Sequence, residues 1–468
     1  MSFDTKANPA ASSARARAGR TRWLTHGSWL LSTAILLTMA LPSAVRAQAN
    51  QAQTLPPVKT TYVRLSGRAN ALLIEPLKPS PKEHILAINI HPEHNNNFEY
   101  FLGRLLVARG YRVLEVNYYG PEALTEEFLP PLGAAVRYAR TVPGVKTVVL
   151  AGHSGGGSLL SYYQEIAEKG PSVCQQPNRM LACDSKGLTD LPKADALMLL
   201  EANVGAPHRI LSIDPAVDNR DPKARNPALD MYAPQNGFDP KTQSAVYSPA
   251  FVKQYSTALH DRTESLIAIA QAKLKAIENH TGPYNDDEPF VVAGMAVHNT
   301  GARLNLADPK ILSRTHGSHM ELMTDGTRPV GIVHSVRTAE PTPVDHRDTL
   351  NETSQRGTVR YFLSYLAIRT TSDFEITADD IKGVDWRSSG NAAAGNVENI
   401  SVPTLVMAGS CYIHLVPLEI VFDHSAAKDK DFVVVEGANH TFQPCRPEFG
   451  DSQKRAMDYV DAWLTKRF

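Results

Sequence analysis

Residues 145–160, VKTVVLAGHSGGGSLL, constrain this chain more tightly than any other stretch. The β-branched apolar run Val148-Val149-Leu150 reads as a buried strand. It enters the turn Gly152-His153-Ser154-Gly155-Gly156, and the residues from Leu159 to Glu168 then suit a helix. A Gly-x-Ser-x-Gly between a strand and a helix holds its serine in a strained backbone conformation, with the hydroxyl pushed outward. Glycines flank the serine because neighbouring Cβ atoms would crowd such a turn. The five-residue pattern alone is common. The strand before it and the helix after it make it a strong signal for a nucleophilic serine.

The chain alternates around this stretch. Residues 58–66 and 69–75 predict two strands, 85–90 (ILAINI) a buried strand, 98–109 a helix and 111–118 a strand. Residues 122–140 predict a helix interrupted by Pro130 and Pro131, and 194–201 (ADALMLLE) another buried strand. This alternation predicts an α/β fold, a mostly parallel central sheet flanked by helices. It stops near Ala202. Residues 202–400 are polar and proline-rich, with helical patches at 263–278 and 357–369. The segment is too long for a loop and is expected to form a large inserted lid domain. Alternation resumes with a strand at 403–408, a helix at 417–427, a strand at 431–436 and an amphipathic helix at 451–468. The expected core is therefore split into residues 58–201 and 401–468.

Arg15, Arg17, Arg20 and Arg22 precede an apolar stretch from Trp29 to Leu41, and Val45-Arg46-Ala47 offers a small-x-small cleavage site. Residues 1–47 therefore read as a signal peptide, which predicts a periplasmic or secreted protein with no stable membrane insertion after cleavage. The four cysteines, Cys174, Cys183, Cys411 and Cys445, fit two disulfides in such a compartment. Cys174 and Cys183 could close one short loop, but four cysteines allow three pairings. With 48 basic and 48 acidic residues the chain lacks the basic stripe of a nucleic-acid binder. No Gly-x-Gly-x-x-Gly follows a strand, so no cofactor is implied. No zinc-type Cys/His spacing occurs, and no metal is expected. His316 and His319 are spaced like ligands, but no acid is evident beside them, so they read as surface histidines.

The order of elements resembles the α/β-hydrolase superfamily over residues 58–201 and 401–468. Gly152-His153-Ser154-Gly155-Gly156 matches that family's nucleophile elbow, and Glu436-Gly437-Ala438-Asn439-His440 follows the last strand, where the family places its histidine. The resemblance implies a serine hydrolase that cleaves a carboxylic ester through an acyl-enzyme, with Ser154 as nucleophile and His440 as its base. Many relatives carry an aspartate after the strand that is 403–408 here. In this chain the tip reads Gly409-Ser410-Cys411-Tyr412-Ile413-His414, without a carboxylate. A known variant places the acid at the end of the preceding strand, where this chain has Glu201. A carboxylate ending a buried apolar strand needs a partner, and orienting His440 would supply one. Asp214 and Asp423 are the alternatives.

The oxyanion is expected on the amides of Gly155 and Glu93, since Pro92 has no N–H to offer. His94, His153 and Tyr119 are expected at the substrate, a small-molecule or polymeric ester. The size of the lid suggests a substrate bulkier than an acetate ester. The same triad could serve an amidase, a peptidase or an acyltransferase. A non-catalytic binding protein of this fold is the remaining alternative, and an intact Ser154 and His440 argue against it.

Overall fold

The structure, a computed structural model, describes residues 57–66, 68–92, 96–98, 100–118, 120, 123–295, 301–341 and 353–468. The expected signal peptide lies outside these residues. Among the described residues no helix is long and apolar enough to cross a membrane.

Ten strands form the central sheet: β1 (Val58–Arg64), β2 (Ala69–Pro76), β3 (Ile85–Ile90), β4 (Arg112–Tyr118), β5 (Thr147–Ser154), β6 (Ala196–Ala202), β7 (Arg314–Leu322), β8 (Val330–His334), β9 (Thr404–Gly409) and β10 (Lys430–Val435). Their spatial order is β1-β2-β4-β3-β5-β6-β9-β10-β7-β8. β2 is antiparallel to both β1 and β4. Every pairing from β4 across to β7 is parallel, and β8 closes the far edge antiparallel to β7. The sheet is mostly parallel, as the alternation of the sequence predicts, and is lengthened at one edge by β7 and β8.

Seven helices matter for the site: α1 (Phe101–Val107), α2 (Leu129–Thr141), α3 (Gly155–Lys169), α4 (Ala206–Ile210), α5 (Pro249–Glu278), α6 (Leu415–His424) and α7 (Ser452–Arg467). The central strands read as unbroken apolar runs because both faces of the sheet are covered. Leu86, Ile88, Val148 and Leu150 join one core, together with residues of α2 and α3. Ile85, Ala87, Val149 and Ala151 join the other, with Leu102 and Leu106 of α1 and Val460 and Trp463 of α7. Each fully buried leucine or isoleucine contributes about 1.5–3 kcal/mol.

Several elements differ from their sequence-based expectation, each for a physical reason. Pro130 and Pro131 do not interrupt a helix; they sit in the first turn of α2, where a missing N–H costs nothing. α5 is 30 residues long rather than starting near Thr263, because the Ser248 hydroxyl accepts from the Phe251 amide and Pro249 begins the first turn. Residues 357–369 are not one helix. They comprise the end of the strand Ser354–Thr358, one helical turn at Val359–Tyr361 and a π-turn at Phe362–Leu366.

The segment between β6 and β9 supplies β7 and β8 to the central sheet, as well as α4, α5 and several two-stranded ribbons. A buried ion cluster ties it to the core: Glu165 of α3 accepts from Arg387 and from Asn399, 2.8 Å away, and lies 3.6 Å from Arg179. The disulfides are Cys174–Cys183, with Cα atoms 5.5 Å apart, and Cys411–Cys445, with Cα atoms 6.3 Å apart.

Candidate active site

Ser154 ends β5 and caps α3 with φ 49° and ψ −134°, a region that side chains other than glycine's rarely occupy. Holding it there costs of order 1–3 kcal/mol, so the surroundings must fix it. A Cβ on Gly156 would lie 2.1 Å from the Ile90 carbonyl oxygen, and one on Gly157 would lie 2.2 Å from Ala202 Cβ. Both glycines therefore let α3 start close against β3 and β6. The Ser154 carbonyl accepts from the Asn203 amide at 2.8 Å, which binds the turn to the end of β6.

Glu201 shares this strain, with φ 48°. Along the β5–β6 ladder His153 pairs with Leu200 but Ser154 pairs with Ala202. Glu201 is the extra residue of a β-bulge, which releases it from the ladder and re-aims its side chain. The carboxylate is fully buried. Its Oε1 accepts from the Gly409 amide at 2.6 Å. Its Oε2 faces His414 Nδ1 at 3.1 Å and His440 Nδ1 at 3.4 Å. Burial alone would raise its pKa, but hydrogen bonds from His414 and His440 outweigh burial and hold the carboxyl below its ordinary value. Asp214 pairs with Arg225 at 2.9 Å, and Asp423 pairs with His316 at 3.0 Å. Of the three carboxylates weighed from sequence, Glu201 is the one that meets His440.

His440 follows β10 in a tight loop. Asn439 Oδ1 accepts from the amides of Thr441 and Gln443, and the Cys445 amide donates to the Gly437 carbonyl. The Cys411–Cys445 disulfide joins this loop to the tip of β9. The His440 ring stacks on Tyr412, with centroids 4.5 Å apart and planes at 23°. Its Nδ1 faces Glu201, so among the described residues Nε2 is the nitrogen left unengaged. Among the described residues no hydrogen bond joins Ser154 to His440; such contacts are often long until substrate is bound.

His153, expected at the substrate, is buried instead, with both ring nitrogens engaged. Its Nε2–H donates to the His440 carbonyl at 2.7 Å, and its Nδ1 accepts from the Tyr100 hydroxyl at 2.6 Å. Burial, chiefly, keeps this ring neutral. It fastens the Ser154 turn directly to the His440 loop. The Gly155 amide is the first N–H of α3 and has no partner within the helix. Pro92 sits against this turn: a Cβ on Gly155 would lie 3.1 Å from Pro92 Cγ. Glu93, His94 and Tyr119 lie outside the described residues.

A cavity of about 550 Å³ borders His440, with Tyr412, Leu306, Arg337, Cys411 and Cys445 among its walls. Glu201, His414 and His440 present donor atoms within 4.8 Å of one another. The carboxylate already accepts from three N–H donors, and we assign no metal to it. His316 and His319 do have acids beside them. Glu419 lies 3.1 Å from His316 and 2.6 Å from His319, and Asp423 comes from the next turn of α6. Sequence reasoning missed these acids, and likewise Tyr100, Tyr412 and His414, because each reaches its partner from a distant part of the chain.

No family model matches the chain, and no curated protein matches it at a significant level. Among solved structures it is similar to Est1E from Butyrivibrio proteoclasticus, at 13% identity over 87% of this chain and 98% of that one, with a TM-score of 0.37. An esterase from Rhizomucor miehei matches at 12% identity over 88% and 84%, with a TM-score of 0.38. A bromoperoxidase from Bacillus anthracis matches at 12% identity over 87% and 100%, with a TM-score of 0.32. At these scores the likeness adds nothing to the fold, which rests on strand order and on the turn at Ser154.

Proposed function

We propose that this chain is a serine hydrolase that cleaves carboxylic esters, with Ser154 as nucleophile, His440 as base and Glu201 as the acid that orients it. The observation that carries this reading is the double fastening of the His440 loop. Glu201 receives its Nδ1–H, and His153, the residue before the serine, binds its carbonyl. A serine hydroxyl is a poor nucleophile until a neighbouring imidazole removes its proton.

In the proposed reaction Ser154 Oγ attacks the acyl carbon while its proton passes to His440 Nε2. The carbonyl π-electrons move onto oxygen, which accepts from the Gly155 amide and from a second amide after β3, assigned to Glu93. The oxyanion collapses, the bond to the alkoxy oxygen breaks, and His440 returns the proton to that oxygen. Water then attacks the acyl-enzyme and gives a proton to His440. Collapse of the second oxyanion releases the carboxylic acid, and the proton returns to Ser154. Throughout, ionised Glu201 stabilises the imidazolium and holds the Nδ1–H tautomer.

We assign the rest of the inserted segment to a cover over the site, and the mature chain to the periplasm or exterior, where two disulfides persist. A fluorophosphonate probe should label Ser154, and Ser154→Ala should abolish both labelling and p-nitrophenyl ester hydrolysis. Matched anilides should react at least about 100-fold more slowly. Full activity in Ser154→Ala would end the mechanism, and faster anilide cleavage would make the protein an amidase.

A further inference from the structure

Two imidazoles, not one, converge on the same oxygen of Glu201. His414 Nδ1 lies 3.1 Å from Oε2, closer than the 3.4 Å of His440. Both must donate, because an ionised carboxylate only accepts. The two rings differ sharply in setting. The His440 side chain is 23% exposed and borders the cavity, whereas that of His414 is 1% exposed. Among the described residues His414 Nε2 is buried without a hydrogen-bond partner. Protonating it would create an N–H with no acceptor and a charge with no water.

The groups facing His414 are Glu201 from β6, the His440 ring at 5.2 Å, the Tyr412 ring at 4.8 Å and the His208 ring of α4 at 5.2 Å. Behind His208 stands the guanidinium of Arg303, 1% exposed, with Nη1 2.7 Å from His208 Nε2. Its positive charge opposes a second one on His414. Burial, first, and the charges of His440 and Arg303 all hold His414 below its ordinary pKa, although Glu201 pulls it upward.

From this geometry we infer that His414 is a positioning residue of the active site: a permanently neutral N–H donor that shares Glu201 Oε2 with His440, fixes the carboxylate and moderates its pull on the His440 proton. This assignment rests on the serine-hydrolase reading above. A carboxylate that already accepts one imidazole N–H attracts a second imidazolium less strongly, so His440 loses its proton at a lower pH than it would against Glu201 alone. His414 thereby widens the pH range in which His440 is a competent base. Removing its N–H should move the acid limb of kcat/KM toward higher pH.

The test has two arms. In His414→Phe the acid limb should rise by about half to one pH unit. In His414→Asn, whose amide nitrogen can take the place of Nδ1, the limb should return toward that of the unaltered protein. A limb unmoved in His414→Phe, or moved equally in both variants, would overturn the assignment. The second arm needs no change at His414. Proton NMR of ring Cε1–H resonances in the Ser154→Ala protein should show His414 not titrating between pH 5 and 8. Titration of His414 in that window would overturn it even if neither substituted chain folds. Absence of esterase activity and of fluorophosphonate labelling would sink the hydrolase reading instead, and is read separately from the NMR result.

Discussion

At the scale of single residues, the proposed chemistry turns on one buried carboxylate, Glu201. Glu201→Gln keeps the shape but replaces an acceptor by an amide, and should lower kcat by about 10³- to 10⁴-fold with little change in KM, measured on a p-nitrophenyl ester. Stability should also depend on pH through this residue. Its folded carboxyl sits below the ordinary value of 4.5, so the stability it contributes is complete above that value and is lost as pH falls through the folded one. The Tm gap between the unaltered protein and Glu201→Gln should therefore shrink as pH drops below 4.5; a constant gap would contradict an ionised Glu201. The meeting of Glu201 with His440 was legible in the sequence because one ends an apolar strand and the other follows one. His414 was not. Its meeting with Glu201 depends on the one-residue bulge in β6, and no local pattern announces a bulge in a uniformly apolar run. His153 was expected at the substrate, but its ring is buried between Tyr100 and His440, partners that come from elsewhere in the chain.

At the scale of elements, the strands of the core could be read from their apolar runs, and the prolines of α2 were misjudged only in sign. The cysteine count predicted two disulfides but not their pairing. Each now has a distinct expected effect. Cys411–Cys445 spans 34 residues and pins the His440 loop to the tip of β9, so Cys445→Ser should cost both stability, about 3–4 kcal/mol on the chain-entropy estimate, and kcat. Cys174–Cys183 spans 9 residues after α3, beside no residue of the triad. Cys183→Ser should cost about 2–3 kcal/mol while kcat at 25 °C stays within twofold of the unaltered value. Urea unfolding and initial rates on the two variants separate these outcomes, and equal losses of kcat would remove the special role of the first bridge. β7 shows why some elements escape a sequence reading. Its residues, RTHGSHMEL, are half exposed and polar, and its parallel partner β10 lies far along the chain.

At the scale of the whole molecule, the two halves of the core meet where β6 pairs with β9, and the segment between them is more than an appendage. An ester series from acetyl to long-chain acyl groups tests its proposed role as a cover, since equal kcat/KM across the series would remove that role. A second consequence follows from where β7 lies. In the sheet order β10 is an interior strand, with β9 on one side and β7 on the other. Were residues 203–403 replaced by a short linker, β10 would become a bare edge with unpaired N–H and C=O groups beside the apolar run Phe432–Val435, and such edges recruit other chains. The shortened chain should elute from size exclusion as aggregates even if its remaining strands form. The strand that leads into the His440 loop is thus shielded from strand-to-strand self-association by a partner supplied by residues 203–403, so solubility and the proposed site depend on the same strand.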